Sequence, residues 1–470
     1  MNATSGSAAS AASSRSMLAP LALAQFICSF AGSNMNVMIN DISEDLDTTV
    51  KGVQITITLF LLIMAIFMIP GSKLTDRWGR KRCFFAGLTL YGAGALLSMV
   101  APGLGLLILG NSVLEGVGTA LLIPPVYIFA TLAYSDTVSR ARAFGVISGM
   151  GGVGAAAGPL IGGFITTAIS WRAAFFFQVC VIAVIMVLGR RIVDPVKPDP
   201  ARSFDTVGAV LSAAGMFFVV FGILQADTNV VLMTVSLVVG VVFLLWFFAH
   251  VRSLERAGRE PLLSTSLFRD RTSNIGLVTQ NVQWVLLMGT SFVVAVFLQT
   301  VRGYNAIETG VIFTPATVGV LISSLAAERF AARRSQKTLI VTGFVVAVAG
   351  IVVLLALVRV SSSVIAFGPG LLLIGLGLGG MLAPSVNIVQ SSVPESMQGE
   401  ISGLSRSVSN LGSSFGTAVA GTILVSGLAS GNRAYALAMA TLGVFALIGL
   451  VAASRLPRSK QPSGPAQLPG

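Results

Sequence analysis

The chain has 470 residues, 54% of them hydrophobic and only 10% charged, with a mean hydropathy of +0.87. Soluble domains carry about 25% charged residues, so this composition excludes a soluble enzyme and calls for lipid as solvent. The formal net charge of +12 would suggest nucleic acid in a soluble protein, but here the cations follow a membrane pattern that needs no nucleic-acid partner.

Residues 1–16 are rich in Ser and Ala and read as a flexible tail carrying Arg15. The run 17–39 is too long for the apolar part of a cleaved signal peptide and is interrupted by Asn34 and Asn36, so it reads as a retained first helix. A spanning helix needs about 20 mostly apolar residues, because only a helix satisfies its own backbone in hydrocarbon. Further stretches meet this requirement at 52–72, 83–101, 103–130, 143–168, 173–190, 207–225, 230–251, 274–300, 310–328, 338–359, 363–390, 403–427 and 432–454. The expected fold is therefore all-α and membrane-integral, with fourteen transmembrane helices. Long polar stretches at 191–206 and 252–273 divide it into a six-helix bundle over 17–190, a linker over 191–273 with two extra spans, and a second six-helix bundle over 274–454. A basic tail, 455–470, closes the chain.

Between the second and third spans lies GSKLTDRWGRKR, residues 71–82. Such a density of Lys and Arg marks the cytoplasmic face. With that loop inside, the cations fall on the same side except Lys51, Arg172, Arg302, Arg359 and Arg433 in outer loops and Arg406 within a span. Both termini are then cytoplasmic. Asp76 opens the basic turn, where it can pair with Arg77 or Arg80 or face a helix N-terminus. We read this turn as a conformational latch, with Arg140 and Arg142 of the next inner loop as partners; the alternative is a solvated loop that only sets topology.

The fifth span carries Gly154, Gly158, Pro159, Gly162 and Gly163. Small residues four apart allow close helix approach, and proline bends the helix. Two G-x-G-x-x-G patterns, at Gly149 and Gly375, lie inside apolar spans without a preceding strand and are not dinucleotide sites. The sequence contains no P-loop, so ATP is not the expected energy source. Cys28, Cys83 and Cys180 lie in apolar runs and His250 is the single histidine, which implies neither disulfides nor a metal site. No cofactor is expected.

Glu115 is the one acid deep inside a span, which makes it the candidate for proton exchange. The competing reading is a protonated Glu115 bonded to Asn111, one turn back. Candidates for lining a central cavity are Asn34, Asn36, Asn111, Gln178, Gln280, Asn281, Gln283, Asn387 and Trp284, since polar groups facing lipid are costly. Arg406 lies about a turn inside its helix and reads as a side chain snorkelling to the inner interface.

The halves echo each other. LTDRWGRKR (74–82) aligns with AAERFAARR (326–334), and Gly154, Gly158 and Gly163 align with Gly412, Gly416 and Gly421. Repeats of one orientation place a solute path between the halves near the midplane.

GSKLTDRWGRKR, with Gly71, Asp76, Arg77, Gly79, Arg80 and Lys81 in register, and GAAAGPLIGG (154–163) resemble motifs of the major facilitator superfamily, in its fourteen-helix drug:proton antiporter branch. WRAAFFFQV, EPLLSTSLFRDRTS and the segment from Val393 to Leu424 are similar to the same branch. The resemblance implies a monomeric multidrug exporter of the bacterial inner membrane, exchanging amphipathic or cationic compounds for protons as two bundles rock. The chain departs from the branch at Ser112 and Ala31, where ionisable residues are usual, and at Ile55, where an aromatic is usual. A lipid or secondary-metabolite exporter with weak or no proton coupling, and a non-transporting sensor or scaffold, are the alternatives.

Overall fold

The computed structural model describes residues 3–133, 137–194, 198–199, 203–331, 334–360, 363–394, 397–425 and 431–457. Among these residues the regular structure is helical throughout, with no strand. The first helix, α1 (Ala3–Asn34), includes residues read above as a tail. A short α2 (Ile39–Asp45) leads to α3 (Val50–Trp78) and α4 (Arg80–Met99). Next come α5 (Leu104–Ala133), which is π-helical over Ile108–Glu115, then α6 (Thr137–Ala168) and α7 (Trp171–Gly189). The pair α8 (Thr206–Leu224) and α9 (Val230–Arg256) precedes α10 (Arg271–Val301). The remainder is α11 (Ala306–Ile312), α12 (Thr314–Ala331), α13 (Gln336–Val360), α14 (Phe367–Gln390), α15 (Gln398–Val425) and α16 (Asn432–Ser454).

Local chemistry sets the boundaries. Thr49, Ser170 and Asp270 cap α3, α7 and α10, each side chain accepting from a backbone N–H three residues on. Gly79 separates α3 from α4 with φ +93°, a conformation that other residues adopt only with strain. Among the described residues twelve helices are long and apolar enough to cross a membrane, thirteen if α11 and α12, bent by 40°, count as one span. The 28-residue α15 is of another kind, for its Ser405, Ser407, Ser409, Ser413, Ser414 and Thr417 are all buried.

Two large buried clusters form, one drawn mainly from residues 21–192 and the other mainly from 211–456. The helices of the two clusters meet along two seams. On one, α3 faces α15: Ser407 Oγ donates to Ala65 O (2.6 Å), Ser414 Oγ to Thr58 O (3.0 Å) and Gln54 Nε2 to Ala418 O (3.2 Å). On the other, α6 faces α11 and α12, with Thr317 Oγ1 donating to Ala156 O (2.6 Å) and Gly310 set against Pro159 O. Helix α8 covers the first seam, packing Val220 and Leu224 on Leu62, Ile66 and Ala418, and a Lys51–Asp227 ion pair of 2.6 Å pins the turn that follows it. Behind it, α9 exposes Leu245 and Trp246 as a lipid-facing helix should.

The glycines of α6 serve these approaches. A Cβ at Gly154 would meet Phe26 O of α1, one at Gly158 would meet Ser33 Oγ, and one at Gly163 would meet Ala306 O. On the repeat-related face, Gly412 and Gly416 abut Asn281 O and Val285 O of α10. Gly149 has no atom within 4 Å of the same position. Gly154→Ala should therefore lower stability by about 1–3 kcal/mol through overpacking, whereas Gly149→Ala should be neutral or stabilising by about 0.5–1 kcal/mol through helix propensity. Unfolding of the purified variants in detergent measures both; equal effects would contradict the packing described.

Candidate functional site

A central cavity of about 50 Å³ lies between α1, α3, α5, α6, α10 and α15. Its apolar wall is Leu61, Met64 and Met68 of α3, Ile123 of α5, and Trp284 and Met288 of α10; Gln25, Ser29, Arg406, Ser409, Asn410 and Ser413 supply the polar wall. Sites for drug-sized ligands measure about 300–1,000 Å³, so this space is too narrow for such a solute until the helices part.

Arg406 does not snorkel outward. Its guanidinium lies 4.6 Å from the centre of the Tyr127 ring, and Nη2 donates to Tyr127 Oη. Tyr127 Oη in turn donates to Gln25 Oε1 (3.1 Å), whose Nε2 reaches Ser29 Oγ (3.1 Å). Among the described residues Arg406 forms no salt bridge. Sequence reasoning missed this relay, although an arginine inside a span was its signal.

Of the side chains expected around a cavity, only Trp284 lines this one. The others act mostly as ties between helices. Gln280 Nε2 donates to Ser409 Oγ (2.9 Å) and its Oε1 accepts from Ser405 Oγ (2.9 Å). Asn281 Nδ2 donates to Val408 O, Gln283 Nε2 to Leu378 O, and Gln178 Oε1 accepts from Tyr91 Oη. Asn34 is buried against Gly158 and Gly162 of α6. Asn387 is exposed, contrary to expectation. An amide in an apolar bundle is drawn to the nearest carbonyl or hydroxyl of the next helix, which spacing along one sequence does not reveal.

Glu115 is also absent from the cavity lining. Completely buried in the π-helical stretch, it packs against Gly94 of α4 and accepts from Asn111 Nδ2 (3.4 Å), the pairing anticipated as the structural alternative. It therefore cannot attract a cationic solute from the cavity wall in this conformation.

The basic turn keeps the expected Asp76–Arg80 pair and adds a partner that sequence did not suggest. Arg80 spans Asp76 (3.3 Å) and Asp194 (3.6 Å), and Asp194 Oδ2 also accepts from Arg80 N (2.9 Å), capping the N-terminus of α4. Lys81 Nζ donates to Arg190 O (3.1 Å), while Arg77 is exposed. Gly71 lets α3 approach Ala120 O of α5. The side chains of Arg140 and Arg142 lie outside the described residues. Among the described residues the two clusters are linked at this end by Lys73 Nζ to Glu400 Oε1 (2.6 Å) and Ser72 Oγ to Gly399 O (3.4 Å), with Glu400 Oε2 accepting from Ser264 N (3.1 Å). Neither Asp194 nor Glu400 stood out in sequence, since both are single acids beside loops.

At the opposite end the closure is made of neutral amides. Gln299 of α10 accepts from Asn40 N (3.2 Å) at Oε1, accepts Asn40 Nδ2 (3.0 Å) at its carbonyl, and donates from Nε2 to Asn36 O (2.8 Å). Asn36 Nδ2 extends the clasp to Ser291 Oγ (3.0 Å). Asn36, expected in the cavity, thus belongs to a lid above it.

The family described as Major Facilitator Superfamily matches residues 21–417. The "Multidrug resistance protein Stp" of Mycobacterium tuberculosis (strain CDC 1551 / Oshkosh) is 25% identical over 402 residues, 84% of this chain and 73% of the relative. The "Puromycin resistance protein pur8" of Streptomyces alboniger is 28% identical, covering 85% and 80%. The "Tetracenomycin C resistance and export protein" of Streptomyces glaucescens is 29% identical, covering 82% and 71%. A crystal structure of the peptide transporter POT in complex with sulfate superposes with a TM-score of 0.66 at 17% identity, over 94% of each chain.

Breaking the amide clasp should expose the cavity, which Cys28 lines. Each bond contributes about 0.5–1.5 kcal/mol, so Gln299→Ala should raise labelling of Cys28 by a membrane-impermeant maleimide about tenfold or more, in a Cys83→Ala, Cys180→Ala background. An unchanged rate would show that the seal lies elsewhere.

Proposed function

The chain belongs to the Major Facilitator Superfamily, and from that premise we propose that it is a multi-pass transporter and not an enzyme, exporting amphipathic small molecules as a drug efflux transporter working by alternating access. The observation that carries this reading is a cavity between two helix clusters, with separate sets of bonds joining those clusters on its two sides. Such closures can be released one at a time. The relatives named for multidrug resistance, puromycin resistance and tetracenomycin C export support efflux as the direction.

In this reading the bent pair α11–α12 is one span and α15 another, giving fourteen. The buried hydroxyls of α15, each bonded within the bundle, suit a span shielded from lipid. Helices α8 and α9 then form an insert between two six-helix bundles, the termini and basic loops face the cytoplasm, and a single chain in the bilayer suffices for transport.

Protons drive the cycle, and Glu115 carries them. It is the one acidic side chain in the fully buried set among the described residues. Lying between α4 and α5, it would act by changing helix packing and not by contact with the solute. Export of secondary metabolites without proton coupling is the second reading. It is favoured by Ser112, whose hydroxyl is already bonded to Thr56 O (2.7 Å), and by buried Ala31, where ionisable groups would be usual in the branch resembled.

Reconstituted vesicles separate the two. Coupled export predicts solute-induced proton movement that falls at least tenfold in Glu115→Gln, a loss of about 1.4 kcal/mol or more in coupling. Solute flux indifferent to an imposed pH gradient would defeat the coupled reading and leave the uncoupled one.

A further inference from the structure

The cavity has a definite charge. Among the described residues that line it, Arg406 is the only charged side chain and none is acidic. Tyr127 takes one of its five N–H donors and stacks on its face. A cation drawn into a bundle without an ion-pair partner is costly and is usually matched by an opposite charge. The same cavity is lined by Met64, Met68, Trp284 and Met288, thioethers and an indole that adapt to aromatic surfaces.

We propose that this site binds solutes bearing an anionic group on an aromatic body, with Arg406 as the anchor for the anion and the Met–Trp wall for the ring system, and that it disfavours cations. The proposal rests on the export reading and supplies its solute class. The helices impose the polarity: α15 places Arg406 on the same face as Ser409 and Ser413, while Tyr127, itself bonded to Gln25, holds the guanidinium inside the bundle. Glu115, the charge that would favour a cation, is turned away towards α4.

The test uses three pyrene probes that differ only in the end group: 1-pyrenebutanoate, 1-pyrenebutanol and the corresponding butyl-trimethylammonium. Binding to the purified full-length chain in detergent is followed by energy transfer from tryptophan. The carboxylate should bind about tenfold or more tightly than the ammonium, a difference of about 1.4 kcal/mol. Arg406→Gln should abolish that preference and Arg406→Lys should keep most of it, which separates loss of charge from loss of fold. A wild-type preference for the ammonium, or a preference unchanged in Arg406→Gln, would overturn the proposal. Efflux of the three probes from vesicles is measured alongside. Efflux of the alcohol without preference for the carboxylate overturns this inference alone, whereas no efflux of any probe overturns the export reading with it.

Discussion

A hydroxyl or amide inside hydrocarbon has no water to bond, and the protein must supply the partner itself. That constraint organises this molecule. The serines of α15 would be unfavourable facing lipid, but they meet the carbonyls of α3 at Ala65 and Thr58 and those of α15 itself. The result is a polar seam sealed from lipid by α8. Bonds of this kind contribute about 0.6 kcal/mol each on average, enough to align two helices and weak enough to be exchanged as they move.

The two ends of the cavity are closed by different chemistry. At the basic end the Lys73–Glu400 pair is about a quarter exposed on both partners, where water screens much of its attraction. At the other end Asn36 and Gln299 are 2% exposed, so parting them without new partners costs about 1–3 kcal/mol per orphaned group. The far closure is therefore the stiffer one against simple solvent competition. Solvent and ionic strength reach the basic closure, while burial shields the amide clasp from both. The glycines of α6 allow both, because they bring backbone against backbone without large side chains to unlock.

Much of the fold was legible in the sequence because hydrocarbon is an undemanding solvent to read. Long apolar runs, a glycine at 79 and a basic turn suffice to place spans and a sharp helix break. The bent pair at Phe313 and the π-helical turn before Glu115 were not legible, since both keep an apolar helix-like pattern. The site was less legible than the fold. Polar side chains announce that a partner exists but not which helix carries it. Gln280, Asn281 and Gln283 look alike in a sequence, yet the first two bond to α15 and the third to α14, while Asn36 belongs to a closure and Asn387 to the surface. Arg406 was dismissed as interfacial because it lies near a helix end; only packing against Tyr127 reveals that it turns inward. Asp194 and Glu400 act across more than 110 and 320 residues of chain on Arg80 and Lys73, distances over which local pattern carries no information.

The central claim is that one cavity is served by two closures that open alternately. Spin labels placed by Glu44→Cys with Asn305→Cys across the amide clasp, and by Arg82→Cys with Arg334→Cys across the basic end, report on each closure through their distance distributions in lipid nanodiscs. Addition of a transported solute should widen one pair while the other stays short, and conditions favouring the opposite state should reverse the pattern. Simultaneous widening of both pairs, or no change in either while solute is being moved, would contradict the account.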